Sequence, residues 1–503
     1  MRRKKIRINL LCGAKNLART LILCSVAIGT ATAQATQKRV EDVRIARVLS
    51  GLRSPIAIKG QPRETGTLDE ALSLSHVPGI SIAVIDNDQI AWVRGFGLKQ
   101  AHTTGPVTTS TLFQAQSISK AVAATATLVL VNTGRLSLDQ SPNAYLNSWK
   151  LPYNDYQATE KVTLRRILSH SSGLNVGSFA GYQPGEPLPS LLQILNGEKP
   201  ANNPPIRVEF IPGSKSQYSG GGAEVMQQLL MDVTGERFPE LMSRVVLTPV
   251  GMTSSSYEQP LPKARWAEAA SGHDGDGAVI KGRWLIQPQL AAGGLWTTPT
   301  DLAKWALEIT KAWKGEPNKL FSKRIATQML TVQKPPYGLG VEVQGTGPSL
   351  QFSHGGSNLG FRAQVVMFPA VGKGAVIMAN GDRADWVIGN LIRSIASEYD
   401  WPALKQTERE EVPLSAAQLD ALVGVYSLPP GPSGEPVTYE ITRTGNNLFA
   451  ELKGLGSYPR YELFPSSATS FFSTIGLDVN FTLDASGRAT SLRMGDFSGT
   501  RKQ

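Results

Sequence analysis

The sequence predicts a mixed α/β domain, with strands covered by helices, followed by a small all-β domain. Three observations predict it. Ile80–Ile85 and Ile90–Phe96 are strand-like runs, apolar on both faces and joined by Asp86-Asn87-Asp88. A hairpin with no polar face needs cover on both sides, which helices supply. Residues 117–133 (SISKAVAATATLVLVNT) form a nearly all-apolar helical pattern, the mark of a buried central helix. Beyond residue 413, apolar and polar residues alternate in short segments, the period of antiparallel strands with one buried face.

The chain has 503 residues, 41% hydrophobic and 18% charged, which excludes a disordered chain, a collagen and a multi-span membrane protein. Two cysteines exclude a disulfide scaffold or a cysteine-rich zinc module. The net charge of +11 is concentrated at the start: Arg2, Arg3, Lys4, Lys5, Arg7, Lys15 and Arg19 fall within residues 1–33, which hold no acid. The remainder has no basic run, so nucleic acid is not an expected partner.

In chain order, the basic start precedes the apolar run Leu21–Gly29 and Ala31-Thr32-Ala33. This is the layout of a secretory signal, with cleavage expected before Gln34 and a periplasmic or secreted product. The run from Leu21 to Ala33 is too short to span a bilayer, so no transmembrane span is expected in the mature chain. Cys24 follows Leu23, where a lipoprotein signal wants a small residue. Cleavage would remove Cys12 and Cys24 together and with them any cysteine catalysis.

Residues 34–60 are polar without clear periodicity and read as a lead-in. Thr67-Leu68-Asp69-Glu70 is a capping box for a helix to about Ser75, broken by His76-Val77-Pro78-Gly79. The two apolar strands follow, then the buried helix, which Gly134 stops. Residues 150–290 mix helix and loop, with helical patterns at Leu191–Leu195 and Ala223–Val233. Thr298, Pro299 and Asp301 cap another helix. Strand patterns follow at Gly340–Gln344, Phe361–Phe368 and Ala375–Ala379, then a helix from Asp385 to Tyr399.

The charged, proline-ended stretch 406–413 reads as a linker. It separates a domain over 61–405 from one over 414–503. In the latter, Val437, Tyr439 and Ile441, then Val479, Phe481 and Leu483, alternate with polar residues. Thr444-Gly445-Asn446 and Ala485-Ser486-Gly487 supply turns, so a small antiparallel sheet or barrel is expected.

Among catalytic signatures, G-x-S-x-G, H-E-x-x-H and the P-loop pattern are all absent, and no close histidine and carboxylate cluster suggests a metal. No metal or cofactor is therefore expected. What remains is Ser117-Ile118-Ser119-Lys120 at the head of the apolar helix. A spacing of three sets Ser117 and Lys120 on one helix face. An amine held among apolar residues gives up its charge more readily. Beside a hydroxyl it is a route to an activated serine without histidine. The helix N-terminus favours an oxyanion. The competing structural reading makes Ser117 a plain N-cap and Lys120 a snorkelling side chain.

Phe113–Lys120 (FQAQSISK) resembles the first motif of the serine β-lactamase and penicillin-binding-protein superfamily, in its class C-like branch of serine hydrolases. Further matches follow in order: Gly134–Asp139; Ile167–Leu174, similar to L-x-H-x-S-G-L; Tyr218-Ser219, similar to the start of Y-x-N; Gly293-Gly294-Leu295; and His354-Gly355-Gly356, where the family has K-T-G or H-x-G. The resemblance covers about residues 65–400. It implies a β-lactamase/transpeptidase-like fold, α/β plus an all-α subdomain, in which an antiparallel sheet is flanked by helices and carries a helical insertion, and an exported serine hydrolase acting on D-amino-acid peptides, β-lactams or carboxylic esters.

In this resemblance Ser117 is the acylated nucleophile and Lys120 accepts or relays its proton. Tyr218 is the partner base or acid. His354, on a strand edge, helps to hold Tyr218 and the substrate. The N–H groups of Ser117 and Ser357 form the oxyanion hole, and Gly355 and Gly356 line it. Which of Lys120 and Tyr218 is the base stays open. His170 reads as a hydrogen-bonding residue of a turn, and His273 as a loop residue.

The third place of the second motif is Gly220, where the family has asparagine, so recognition of an acyl amide by that side chain is missing. Esters are therefore expected to be handled at least as well as penicillins. Leu419–Tyr426 (LDALVGVY) and the strands after it resemble lipocalin-like barrels appended to such hydrolases. Small molecules or peptides, cell-wall peptides among them, are the expected substrates. The alternative is a non-catalytic or slowly acylated penicillin- or peptidoglycan-binding protein.

Overall fold

A computed structural model describes residues 40–62, 65–430, 434–454 and 460–502. The signal-like segment 1–33 and its cleavage site lie outside the described residues.

Six strands form one antiparallel sheet, in the spatial order Gln89–Gly97, Gly79–Asp86, Lys373–Ala379, Phe361–Phe368, Gln351–Asn358 and Glu342–Gln344. Successive side chains on a strand point to opposite faces, and here the two sets enter different cores. Ile80, Ile82, Val84, Val366, Phe368 and Ile377 pack with the helices Leu68–Leu74 and Ala384–Glu398. Ala83, Ile85, Val365, Met367, Val376 and Met378 join the larger cluster that contains the buried helix Ile118–Asn132. Cover on both faces explains why Gly79–Asp86 lacks polar alternation. Its hairpin partner Gln89–Gly97, an edge strand, is covered on both faces but more thinly: Trp92 is its one buried residue, Ala91 and Phe96 pack against the first cluster, and Ile90 and Val93 against the second. Trp92 donates its indole N–H to the Tyr399 hydroxyl at 2.7 Å.

The local signals act as expected. Thr67 and Glu70 complete the capping box. Thr298 accepts from Asp301 N–H at the head of Pro299–Lys314. Gly134 takes a positive φ of 74° after the buried helix. The helical insertion includes Leu164–Leu168, Leu191–Asn196, Gly220–Thr234 and Phe238–Met242.

Two stretches are more ordered than the sequence suggests. The supposed lead-in carries a helix over 40–50. Its Ile45 and Val48 are buried against the sheet-covering helices, and Arg47 pairs with Glu398. The supposed linker is also structured: Thr407–Arg409 pairs in parallel with Ile56–Ile58. Ile56 and Ile58 then pack on Phe464 and Phe472 of the C-terminal part. The first reads as polar because its helix buries one side only, the second because none of its side chains is buried.

That C-terminal part is a closed barrel of eight strands running in sequence from Gly424–Leu428 to Phe497–Arg501. First and last strands close it through Tyr426↔Arg501 and Ser427↔Thr500. Val437, Tyr439, Ile441, Val479 and Phe481 point inward, as the alternation predicts, and fill the interior with Tyr426, Phe471 and Leu492. Closure removes the exposed strand edges of an open sheet. Among the described residues no helix is long and apolar enough to cross a membrane.

Candidate active site

Ser117 is the N-cap of the helix Ile118–Asn132, in helical conformation and with its hydroxyl unused as a cap. Gln116 before it has a φ of 49°, an uncommon backbone for a residue with a side chain and a frequent feature of functional turns. Its amide is tied to Gln114 Oε1 at 2.7 Å, and Gln114 in turn to the Leu285 carbonyl at 2.7 Å. One turn into the helix, Lys120 is 5% exposed. Its Nζ lies 3.0 Å from Ser117 Oγ and 2.8 Å from the Ala292 carbonyl oxygen. The segment holding that carbonyl is sewn to the helix start. Ala115 N–H donates to Leu295 O at 2.9 Å, and Leu295 N–H donates to Ser119 Oγ at 3.0 Å.

Tyr218 stands at the entrance to the helix Gly220–Thr234, its ring centroid 5.0 Å from Lys120 Nζ. His170 brackets it. The His170 carbonyl accepts from Gln217 N–H at 2.7 Å, and its Nδ1 accepts from Ser219 N–H at 3.1 Å. Its ring lies 4.5 Å from that of Tyr218. An Nδ1 that accepts a backbone N–H carries no proton, which puts the proton of the neutral ring on Nε2. Burial first, then Lys120 and His354, push His170 well below the usual histidine range, so it is neutral at pH 7. The sequence reading of a turn residue holds, with an added consequence: the turn it builds fixes the backbone on both sides of Tyr218.

His354 lies in the strand Gln351–Asn358, 5% exposed, with its ring centroid 6.3 Å from that of Tyr218. Its Nδ1 is 2.7 Å from the Gly355 carbonyl. A carbonyl only accepts, so Nδ1 carries the proton and Nε2 is an acceptor. Burial lowers its pKa to about 4 despite that bond, with Lys120 adding to the fall.

Glu342–Gln344 pairs with this strand only over residues 351–353. From His354 onward its outer edge is therefore free of a strand neighbour. The two-residue turn Leu359-Gly360 makes Asn358↔Phe361 the closing pair of the hairpin. Alternation along an antiparallel ladder then points Ser357 N–H away from its neighbour, toward that free edge. One face of the strand lies against the nucleophile segment: a Cβ on Gly356 would sit 2.2 Å from the Ala115 carbonyl oxygen.

Gly220 is the first residue of its helix. A Cβ there would sit 3.0 Å from the Gly177 carbonyl and 3.0 Å from Phe179 Cε2. The half-buried Phe179 ring therefore lies beside the position without a side chain. Sequence reasoning missed Phe179, which arises from a loop with no periodic pattern. It also missed Glu224, a fully buried acid whose Oε1 accepts from Ala292 N–H at 3.0 Å. Its one available signal was a carboxylate inside an otherwise apolar helical run. His273 is corrected: it is fully buried, accepting from Ala101 N–H at 3.0 Å and bonding Asn380 O at 2.7 Å.

Ser117, Lys120, Tyr218 and His354 are thus brought to one place. A hydroxyl within reach of a buried amine and near polarised backbone donors can attack a carbonyl carbon.

Comparison with known proteins gives the family and the fold. A family model described as Beta-lactamase matches residues 66–396, more than half of the chain. Protein flp of Staphylococcus aureus (strain N315) is 22% identical over 251 residues, 49% of this chain and 46% of that protein. Unguisins hydrolase ungD of Aspergillus violaceofuscus (strain CBS 115571) is 28% identical over 365 residues, 62% of this chain and 59% of that protein. The chain spans about half the length of the curated relatives it matches. Among solved structures, the octameric penicillin-binding protein homologue from Pyrococcus abyssi superposes with a TM-score of 0.57 at 21% identity, covering 86% of this chain and 98% of that one. D-alanine carboxypeptidase AmpC from Burkholderia cenocepacia gives 0.52 at 20%, covering 66% and 95%. At these identities the structural likeness concerns the fold.

Proposed function

We propose that this chain, which belongs to the β-lactamase family, is a serine hydrolase that works through an acyl-enzyme on Ser117. The observation that carries the reading is the 3.0 Å approach of Lys120 Nζ to Ser117 Oγ at the head of a buried helix. With one N–H given to the Ala292 carbonyl, a neutral Lys120 amine can turn its lone pair to the Ser117 hydroxyl. Lys120, or Tyr218 acting with it, takes the hydroxyl proton as Oγ attacks the substrate carbonyl carbon. The developing oxyanion is received by the N–H groups of Ser117 and Ser357. The proton passes to the leaving group as its bond to the acyl carbon breaks, and water then attacks the ester on Ser117. His354, neutral at pH 7, offers Nε2 as an acceptor on the Tyr218 side.

Carboxylic esters with an apolar acyl group are the substrate class best supported. Gly220 offers no amide, and the ring of Phe179 lies beside it. D-amino-acid peptides and β-lactams both present an acyl amide that would meet this aromatic surface instead of a hydrogen-bonding partner. Export, if the pattern of residues 1–33 acts as a signal, puts this chemistry outside the cytoplasm.

The test is covalent labelling with a fluorescent penicillin and a fluorophosphonate, read by intact-protein mass, together with p-nitrophenyl butyrate and a chromogenic cephalosporin as substrates. The expected result is a single adduct and ester turnover, both lost in Ser117→Ala. Removing a covalent nucleophile commonly costs on the order of a million-fold in rate. An adduct formed at full rate by Ser117→Ala refutes the assignment. Stable labelling without turnover makes the protein a slowly acylated binding protein instead.

A further inference from the structure

We propose that Glu224 is a positioning residue for Lys120. Through the backbone of Ala292 it holds the amine at Ser117, and the protonation state of its carboxyl decides whether that amine faces a neutral acid or an anion. The proposal rests on the serine-hydrolase reading above and deepens it.

The placement is specific. Ala292 gives its N–H to Glu224 Oε1 at 3.0 Å and its carbonyl to Lys120 Nζ at 2.8 Å. One residue earlier, Ala291 N–H goes to Gln227 Oε1 at 2.8 Å. Two side chains of the helix Gly220–Thr234 thus satisfy the first free N–H groups of the short helix Leu290–Gly293. The contrast between them carries the argument. Gln227 makes its bond with a neutral amide, so the bond to Ala292 does not require an acid. Glu224 is fully buried, and its Oε2 has no hydrogen-bond partner among the described residues. A buried carboxyl with an unfilled oxygen is costly, and glutamine would serve the backbone as well. What the carboxyl adds is a proton that can leave.

Burial raises the Glu224 pKa to about 8, against the bond from Ala292 and the pull of the Lys120 charge. Below that value the carboxyl is neutral. Above it, a negative charge stands behind the backbone that holds the amine, and an anion beside an amine favours the charged form, which cannot act as a base. Lys120 is the one charged side chain that acts on Glu224 among the described residues. The neighbouring helices Leu164–Leu168 and Phe238–Met242 present Arg165, Arg166 and Glu240, which pair with Asp139, Glu160 and Arg237 respectively. Leu191–Asn196 and Pro142–Ala144 present no charge. The other titratable groups around Lys120 are Tyr218, His170 and His354, and burial holds both histidines well below neutrality.

The experiment is the pH dependence of kcat/KM for p-nitrophenyl butyrate in the full chain and in Glu224→Gln. The native protein is expected to lose at least threefold in kcat/KM as pH rises through about 8. Glu224→Gln keeps the bond to Ala292 and mimics the neutral acid. It is expected to stay within about threefold of the native rate near pH 7 and to lack the alkaline fall. An unchanged profile in Glu224→Gln overturns the proposal, as does a native protein with no such fall. If the variant does not fold, difference infrared spectra of Ser117→Ala serve instead: a protonated-carboxyl band must disappear between pH 7 and 9, and its absence also overturns the proposal. Loss of the Ser117 adduct in Ser117→Ala is read separately, so failure of the nucleophile assignment and failure at Glu224 are distinguishable.

Discussion

Gly356→Ala tests whether close contact between the strand Gln351–Asn358 and the nucleophile segment builds the proposed oxyanion hole. A Cβ at this position would lie 2.2 Å from the Ala115 carbonyl oxygen, 3.2 Å from its carbon and 3.4 Å from Ala363 Cβ. An ordinary carbon–oxygen contact is about 3.3 Å or more, so strand and segment must separate by roughly 1 Å. Neither side gives easily. The Ala115 backbone is bonded to Leu295, and the strand is laddered to Phe361–Phe368. Ser117 N–H and Ser357 N–H belong to these two segments, so the separation moves one donor away from an oxyanion placed on the other. A hydrogen bond of about 2.9 Å stretched by 1 Å is no longer one. Loss of one such donor costs about 10²–10³ in kcat, and a 1 Å misplacement alone costs about 10².

The expected outcome is a fall of about a hundredfold or more in kcat for p-nitrophenyl butyrate, with KM little changed and slower adduct formation. Overpacking should cost about 1–3 kcal/mol in urea unfolding, leaving the protein folded. Gly355→Ala is the control. Its Cβ would meet Gln364 Oε1 at 3.2 Å, the end of a flexible side chain that can swing away, so activity should stay within about threefold. If Gly356→Ala keeps near-native kcat while folded, or Gly355→Ala loses as much, the proposed hole is wrong.

Three further outcomes are expected. Glu224 has a folded-state pKa raised by burial from 4.5 to about 8, so its stabilisation is complete below the unfolded value and is lost as pH climbs through about 8. At 1.36 kcal/mol per unit the change is about 4–5 kcal/mol, and urea unfolding at pH 5 and pH 9 should show it in the native protein and not in Glu224→Gln. A chain ended after Pro413 should still be acylated on Ser117. It should unfold at lower urea, because Ile56 and Ile58 lose Phe464 and Phe472 and the Arg409–Asp478 pair is removed; a folded truncation that cannot be labelled would place part of the site on the barrel. Gly220→Asn combined with Phe179→Ala should raise penicillin acylation relative to ester hydrolysis, whereas Gly220→Asn alone should do so less, since its Cβ meets the ring at 3.0 Å; equal effects in the two proteins would clear Phe179 of any role.

Elements fixed by local chemistry were readable from the sequence. Thr67 with Glu70, Thr298 with Asp301 and Gly134 act within a few residues of themselves, and each appears in the fold as a cap or stop. The inward set Val437, Tyr439 and Ile441 was equally plain, because burial on one face of a barrel imposes period two. Elements fixed by distant partners were not. Gln351–Asn358 (QFSHGGSN) lacks the β-branched alternation of a strand. It is one because Phe361–Phe368 pairs along it, and Gly356 within it is required by the approach of Ala115. Thr407–Arg409 is too polar to look like a strand and is held by Ile56–Ile58, far away in sequence.

The same division runs through the site. Ser117 and Lys120 share one helical turn, so their geometry follows from i, i+3 spacing alone. Tyr218 and His354 were legible only through the ordered resemblance, since nothing near either residue specifies where the chain will place it. Phe179 shows the limit most clearly. The missing side chain at Gly220 was visible and read as an empty place. In the fold an empty place beside a core is filled, because interiors pack at crystal-like density, and here a ring from an upstream loop takes part of that space. A glycine in a motif therefore reports two things at once: a lost hydrogen-bonding group, which the sequence states, and an intruding neighbour, which only the fold identifies. For substrate choice the intruder matters more, because an apolar ring leaves an acyl amide without the partners it had in water, whereas an alkyl acyl chain gains burial against the same surface.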